Sequence, residues 1–191
     1  MNYDLPVSLD INGTTYEIRS DYRAVLDICT ALSDAELDTT DKALVALDIF
    51  YPAFANMPQS DYEEALKSCF EFINGGEPDD GQPAPKVMDW NQDFPYIVAP
   101  INRVMGCDIR SIPYDRGNNK GGLHWWTVLA AYREIGDCLF AQIVAIRDKQ
   151  RRGKRLEKHE REWYERNRKL VDFKTKYTAD EEDFLKSLVG K

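Results

Sequence analysis

Val7-Ser8-Leu9-Asp10-Ile11-Asn12-Gly13-Thr14-Thr15-Tyr16-Glu17-Ile18 is two alternating runs joined by Asn-Gly, the strongest short-range signal for a β-hairpin. A two-residue turn pairs Ile11 with Thr14, Leu9 with Tyr16 and Val7 with Ile18, so the apolar residues of both strands share one face. A lone hairpin is marginal in water, so that face needs a cover. The next segment supplies one. Ser20 is placed to cap a helix whose Tyr22, Val25, Leu26, Cys29 and Leu32 fall at helical spacing.

Working outward, the rest of the chain reads as helices. Thr40 opens a second, with Leu44, Leu47 and Phe50 inward and Pro52 beyond it. Ser60 opens a third with Glu63 at capping-box spacing, and its inward positions read as Tyr62, Leu66, Cys69, Phe70 and Ile73 before Asn74-Gly75-Gly76. A segment from about Gln92 to Val104 holds Pro95 and Pro100, and the second proline predicts a break. Asp115 to Gly122 reads as a loop. A helical region begins near Leu123 and is divided at Gly136, with Asp137 capping the second part, which runs to Arg152 before Gly153. Leu156, Trp163 and Leu170 recur every seven residues on a further helix with Glu157/Arg161, Glu162/Arg166 and Glu165/Lys169 at i, i+4, and a last helix is expected over Thr178 to Val189. The expected fold is mainly α, a multi-helix body with a short N-terminal β-hairpin and all strand content near the start. The expected organisation is an N-terminal part at 1–74, a flexible linker or loop at 75–88 and a C-terminal helical region at 89–191, the two parts forming one compact unit.

The chain has 191 residues, 43% of them apolar, enough for a single core that buries roughly 70% of the unfolded surface. The net charge of -8 repels nucleic acid and anionic membrane as a whole. From Arg147 to Lys176, however, thirteen Lys or Arg face six Asp or Glu, a net +7 against -13 for the residues before it. With Trp163 and Tyr164 interleaved, that segment could track a phosphate backbone. Its i, i+4 partners favour instead a solvated face, or an arm that docks on acidic protein, another copy included.

Chemistry is sparse. Cys29, Cys69, Cys107 and Cys138 are more than thirty residues apart, which is neither metal-ligand spacing nor a dense disulfide framework, and they read as buried thiols in a reducing compartment. His124 and His159 stand on separate helices with no ligand cluster, so no metal site is expected and each reads as an interface or surface residue. Gly117 to Gly122 has the look of a phosphate loop, but Leu123 stands where Lys is required. No serine sits in a nucleophile elbow, and no enzyme, catalytic residue or cofactor is expected. The start of the chain lacks the charged and apolar regions of a signal peptide, and the longest apolar stretch, Cys138 to Ile146, is half a membrane span, so a cytosolic protein without membrane contact is expected. Trp125 and Trp126 project about 100° apart on one helix, so one is expected inside and the other free for a partner.

Several stretches have a family look: Asp21-Tyr22-Arg23, Asp89-Trp90 with Asp93, Phe94-Pro95-Tyr96-Ile97-Val98-Ala99-Pro100, and Cys107-Asp108-Ile109-Arg110. Gly121-Gly122-Leu123-His124-Trp125-Trp126, Glu134-Ile135-Gly136-Asp137, Phe140-Ala141-Gln142-Ile143-Val144 and Val171-Asp172-Phe173-Lys174 extend it. The chain resembles the "fifteenth gene product" family of long-tailed phages and prophages of Gram-positive bacteria, which is associated with tail assembly chaperones. The resemblance implies a helper in the cytoplasm of the bacterial host during phage assembly. It would bind the tape-measure protein, keep it soluble and help recruit tail-tube subunits, self-associating as it does so. It brings no catalytic residues. Trp125, Trp126, Trp163 and Tyr164 are the expected partner contacts. The alternatives are a minor tail or connector protein of the virion and, behind that, a nucleic-acid-binding phage factor using the basic 147–176 segment.

Overall fold

The computed structural model describes residues 4–78 and 85–174. The expected helix over Thr178 to Val189, the end of the basic segment and the middle of the 75–88 linker lie outside the described residues.

The hairpin forms as two strands, β1 (Ser8–Ile11) and β2 (Thr14–Glu17), with Leu9 opposite Tyr16 and Ile11 opposite Thr14. Asn12 and Gly13 both take positive φ, the geometry that a type I′ turn demands. Ile11 and Ile18 are fully buried, whereas Val7 at the open end is 60% exposed. The cover is α1 (Tyr22–Leu32), with Tyr22, Ala24, Val25 and Ile28 buried. Its cap is Asp21 rather than Ser20: the Asp21 carboxylate accepts the Arg23 N–H at 2.9 Å, while the Ser20 carbonyl is taken by the Trp125 N–H at 2.7 Å.

Helix α2 (Thr39–Phe50) is capped by Asp38 and buries Ala46, Leu47 and Phe50, leaving Leu44 outward at 38% exposure. A short 3-10 turn (Gln59–Asp61) leads into α3 (Tyr62–Ile73). The Ser60–Glu63 capping box does not form, because the cap position falls on Asp61, one residue out of step with Glu63, and the Ser60 hydroxyl donates to the Asp61 carboxylate at 3.3 Å. That carboxylate makes no cap bond and also accepts from Asn12 at 3.0 Å and the Tyr16 hydroxyl at 3.1 Å.

Helix α4 (Trp90–Met105) runs unbroken through both prolines, against expectation. Pro95 and Pro100 deprive the carbonyls of Asn91 and Tyr96 of helical donors, but Asn91 is exposed and Tyr96 partly so, leaving water able to replace them. Burial of Ile97, Val98, Ile101 and Pro100 itself outweighs the two lost bonds.

Strand structure is not confined to the N terminus. β3 (Tyr114–Asp115) and β4 (Lys120–Gly121) form a small antiparallel pair inside the expected loop, supported by Asp115, which accepts from Asn118. Helix α5 (Trp125–Arg133) follows with His124 as its cap, and α6 (Leu139–Arg151) is capped by the Cys138 sulfur rather than by Asp137. Helix α7 (Lys158–Val171) opens with a Glu157/Glu160 capping box and has a non-helical residue at Asn167. Of the three expected i, i+4 pairs, Arg166 approaches Glu162 at 3.9 Å. One core cluster joins Ile11, Val25, Phe50 and Phe72 to Ile97, Ile101, Trp125 and Phe140, so residues on both sides of the linker share it. A smaller cluster of Ile143, Ile146 and Val171, flanked by Trp163 and Tyr164, seats α7 on α6.

Candidate functional site

Two buried polar knots organise the molecule. In the first, Asp21, 3% exposed, both caps α1 and accepts the Leu123 N–H at 2.6 Å. Backbone bonds from Tyr22 to the Leu123 carbonyl and from Trp125 to the Ser20 carbonyl close the contact on either side. Gly122 sits at φ +87° against the Asp21 carboxylate, and a Cβ there would collide with it. Arg23 reaches the Ile112 carbonyl at 2.6 Å and the Ile109 carbonyl at 3.4 Å. Asp21-Tyr22-Arg23, Cys107 to Arg110 and Gly121 to Trp126, far apart in sequence, therefore meet at one place.

In the second knot the Arg147 guanidinium, 2% exposed, holds Asp93, 0% exposed, through two bonds of 2.6 and 3.0 Å. It also donates to the carbonyls of Val171 (2.5 Å), Leu170 (3.0 Å) and Val87 (3.1 Å), and it lies 4.1 Å from the centre of the Phe173 ring. The first cation of the basic segment is thus an internal tie. Others are also committed: Lys149 to Glu160, Arg152 to Asp148 and Arg168 to Asp172.

The four expected contact residues are differently placed. Trp125 is a core residue, 1% exposed, its indole N–H donating to the Ile73 carbonyl at 2.8 Å. Trp126 is half-buried, stacks on Phe72 and donates to the Phe72 carbonyl at 2.9 Å. Trp163 is half-buried against the α6–α7 cluster, and the neighbouring Tyr164 hydroxyl donates to Asp172 at 2.9 Å. Trp125 and Trp126 meet at the end of α3, while Trp163 and Tyr164 sit with the other cluster, so the four do not form one surface. Both tryptophan N–H groups serve the last turn of α3, where Asn74 and Gly76 take the Phe70 and Glu71 carbonyls. The carbonyls that a helix end leaves unpaired are all satisfied.

That end of α3 borders the candidate site, an open groove of about 570 Å³. Its floor is Leu66, Phe70 and Ile73 with Pro78 at one end, and Glu63 and Glu71 stand on its rim. Lys67, also on the rim, is approached by Glu64 at 3.9 Å. Helix α3 carries two adjacent apolar stripes. Ala65, Cys69 and Phe72 face the core, whereas Leu66, Phe70 and Ile73 lie beside that stripe and Phe70 is 37% exposed. The periodicity identified the helix and placed Leu66 and Ile73 inward, where they pack partly buried against the main cluster, but Phe70, also placed inward, is exposed on the groove. The clue lay in the count: seven apolar residues in twelve are more than one buried face needs.

His124 is half-buried, not a surface residue. Its Nδ1 accepts the Trp126 N–H at 3.0 Å, which places the ring proton on Nε2, 2.9 Å from the Pro6 carbonyl. Burial holds this imidazole below its ordinary value, with the Pro6 carbonyl pulling weakly the other way. Cys107 is exposed rather than buried. Among the described residues, no group of three or more His, Cys, Asp or Glu is placed to hold a metal ion, and no helix is long and apolar enough to cross a membrane.

Residues 1–173 match the family described as Bacteriophage Gp15 protein. The chain belongs to this family. Both knots and the groove fall within the matched span, and membership makes this a bacteriophage protein, with a part in building the particle as the coarse role the family supports. No curated protein and no solved structure matches the chain.

Proposed function

We propose that this Gp15-family protein is a tail assembly chaperone. It binds the tape-measure protein in the host cytoplasm, keeps it soluble and helps recruit tail-tube subunits, self-associating along its client and catalysing nothing. The observation that carries the reading is the groove on α3: an apolar floor, open to solvent, on a helix whose own core face is already filled. Grooves of this kind receive the apolar face of a partner helix. An assembly chaperone must also let go, and an open groove with few polar anchors suits modest affinity multiplied by many copies.

The test is co-expression with the tape-measure protein of the same phage or prophage, scoring soluble client and co-purification at low and high salt. A soluble complex that survives salt is the expected result. An insoluble client with no co-purification would overturn the proposal in favour of a minor tail or connector protein, which would then be found in purified particles.

A further inference from the structure

The groove has a sign as well as a shape. Glu63 and Glu71 rim it without a cation of their own among the described residues, and Glu64 stands against its one lysine, Lys67. The segment that carries the groove is acidic. Residues 27–78 hold eleven Asp or Glu against two Lys, a net -9, of which Asp27 and Glu77 are paired by Arg116 and Arg133 from elsewhere in the chain. Low-dielectric walls lined by one sign of charge concentrate the opposite sign.

We infer that the groove takes an amphipathic helix with cationic flanks: apolar side chains at i, i+3 or i+4 and i+7 on the Leu66–Phe70–Ile73 floor, and Lys or Arg toward Glu63 and Glu71. The occupant is a segment of another protein. The basic helix α7 of a second copy does not fit, because its half-buried apolar residues already pack on α6 and its outer face offers none for the floor. Apolar contact supplies the affinity and the acidic rim sets orientation and excludes acidic helices. The inference rests on the chaperone reading for the identity of the client, but its chemistry stands on the groove.

The test is a fluorescence anisotropy titration of the full chain with two labelled probe peptides of about 18 residues, five helical turns. They share one leucine stripe; one carries Lys at the flanks and the other Glu. The Lys probe is expected to bind, less tightly at high salt, and the Glu probe to fail. F70S is expected to weaken the Lys probe at least about tenfold, as loss of an aromatic anchor does. E63Q/E71Q is expected to weaken it about two- to tenfold, the range for two exposed ion pairs. D34N/D41N removes the same charge outside the groove and is expected to do less. Thermal melts of each variant confirm folding, and the probe comparison on the unaltered chain needs no variant at all. No binding of the Lys probe, equal binding of both probes, or an equal effect of D34N/D41N would overturn the inference. Co-expression separates the two proposals. A solubilised tape-measure protein with no Lys-probe binding defeats the groove chemistry and spares the chaperone; groove-dependent probe binding with an insoluble client does the reverse.

Discussion

Arg147→Met removes the centre of the second knot. The parent guanidinium makes five hydrogen bonds, two to Asp93 and three to the carbonyls of Val87, Leu170 and Val171. In the variant the Asp93 carboxylate keeps only the Asp89 N–H at 2.9 Å among the bonds that hold it here. Breaking one side of a buried ion pair costs about 3–5 kcal/mol, because the remaining charge stays out of water. Val87 and Leu170 are both partly exposed, which lets water reach their carbonyls, but Val171 is buried, and its orphaned carbonyl adds about 1–3 kcal/mol. A loss of at least about 4 kcal/mol follows, a large share of the 5–15 kcal/mol typical of a domain. For a chain of this size that lowers Tm by roughly 8–16 °C. The assay is urea unfolding followed by tryptophan fluorescence. The same reasoning fixes the rescue: Asp93→Asn in the R147M background removes the stranded charge while its amide oxygen still accepts the Asp89 N–H, so R147M/D93N is more stable than R147M alone. A loss below about 1 kcal/mol in R147M, smaller than one buried hydrogen bond to a charged group, or no recovery in the double variant, would refute the reasoning.

Further predictions are these. His124 is neutral in the fold and its pKa is depressed, so the unfolded chain binds the extra proton first; the stability it contributes is complete above its ordinary value of 6.5 and declines as pH falls through that value toward the folded one. H124N keeps a side-chain acceptor for the Trp126 N–H and should flatten the urea midpoint across this window. Gly122→Ala meets both a positive φ and the Asp21 carboxylate, whereas Gly136→Ala at φ +58° meets nothing within 4 Å, so G136A should cost about 1 kcal/mol and G122A at least about twice that in the same melts. Among the thiols, Cys107 is exposed, while burial and the nearby Asp89 push Cys29 up to about 11, and burial pushes Cys69 up to about 12. Mass spectrometry of the native protein treated with iodoacetamide should find Cys107 modified before Cys29 or Cys69, since the thiolate is the reactive form.

The hairpin was legible to the residue, because Asn12-Gly13 fixes a turn and a turn fixes a register. Helix positions were legible too, since each apolar period is local information. Caps were less so. Ser20, Ser60 and Asp137 were plausible caps, but each helix begins one residue later than they require, and Asp21, Asp61 and Cys138 stand at the cap positions. Pro100 pointed to a break that the buried face of α4 overrode. The knots were the least legible part. Asp93 and Arg147 are 54 residues apart, and neither carries a mark that says which opposite charge it will meet. The α3 groove was hidden for a different reason: hydropathy records that Leu66, Phe70 and Ile73 are apolar, not that the core covers Leu66 and Ile73 only in part and leaves Phe70 exposed.

This arrangement changes what a tryptophan substitution can show. Trp125 and Trp126 stand in the stretch that most resembles the family, and truncating an exposed tryptophan is an ordinary way to look for a partner contact. Here their N–H groups close the last turn of α3, next to the Ile73 and Asn74 that border the groove. Gly76 passes so close over the Trp126 ring that a Cβ there would meet it at 3.0 Å, so the ring also positions the chain that leads to Pro78. Trp126→Ala would therefore strip the Phe72 carbonyl of its indole donor, leaving it the Gly75 N–H at 3.0 Å, loosen this turn and reshape the groove even if Trp126 never touched a client. A Trp126→Phe variant keeps the stacking on Phe72 and loses only the hydrogen bond. If client binding fell in W126A in step with melting temperature and recovered in W126F, the tryptophan would act through α3. Phe70, which projects from the same helix and whose loss frees no hydrogen bond, is the residue whose substitution reports on contact itself.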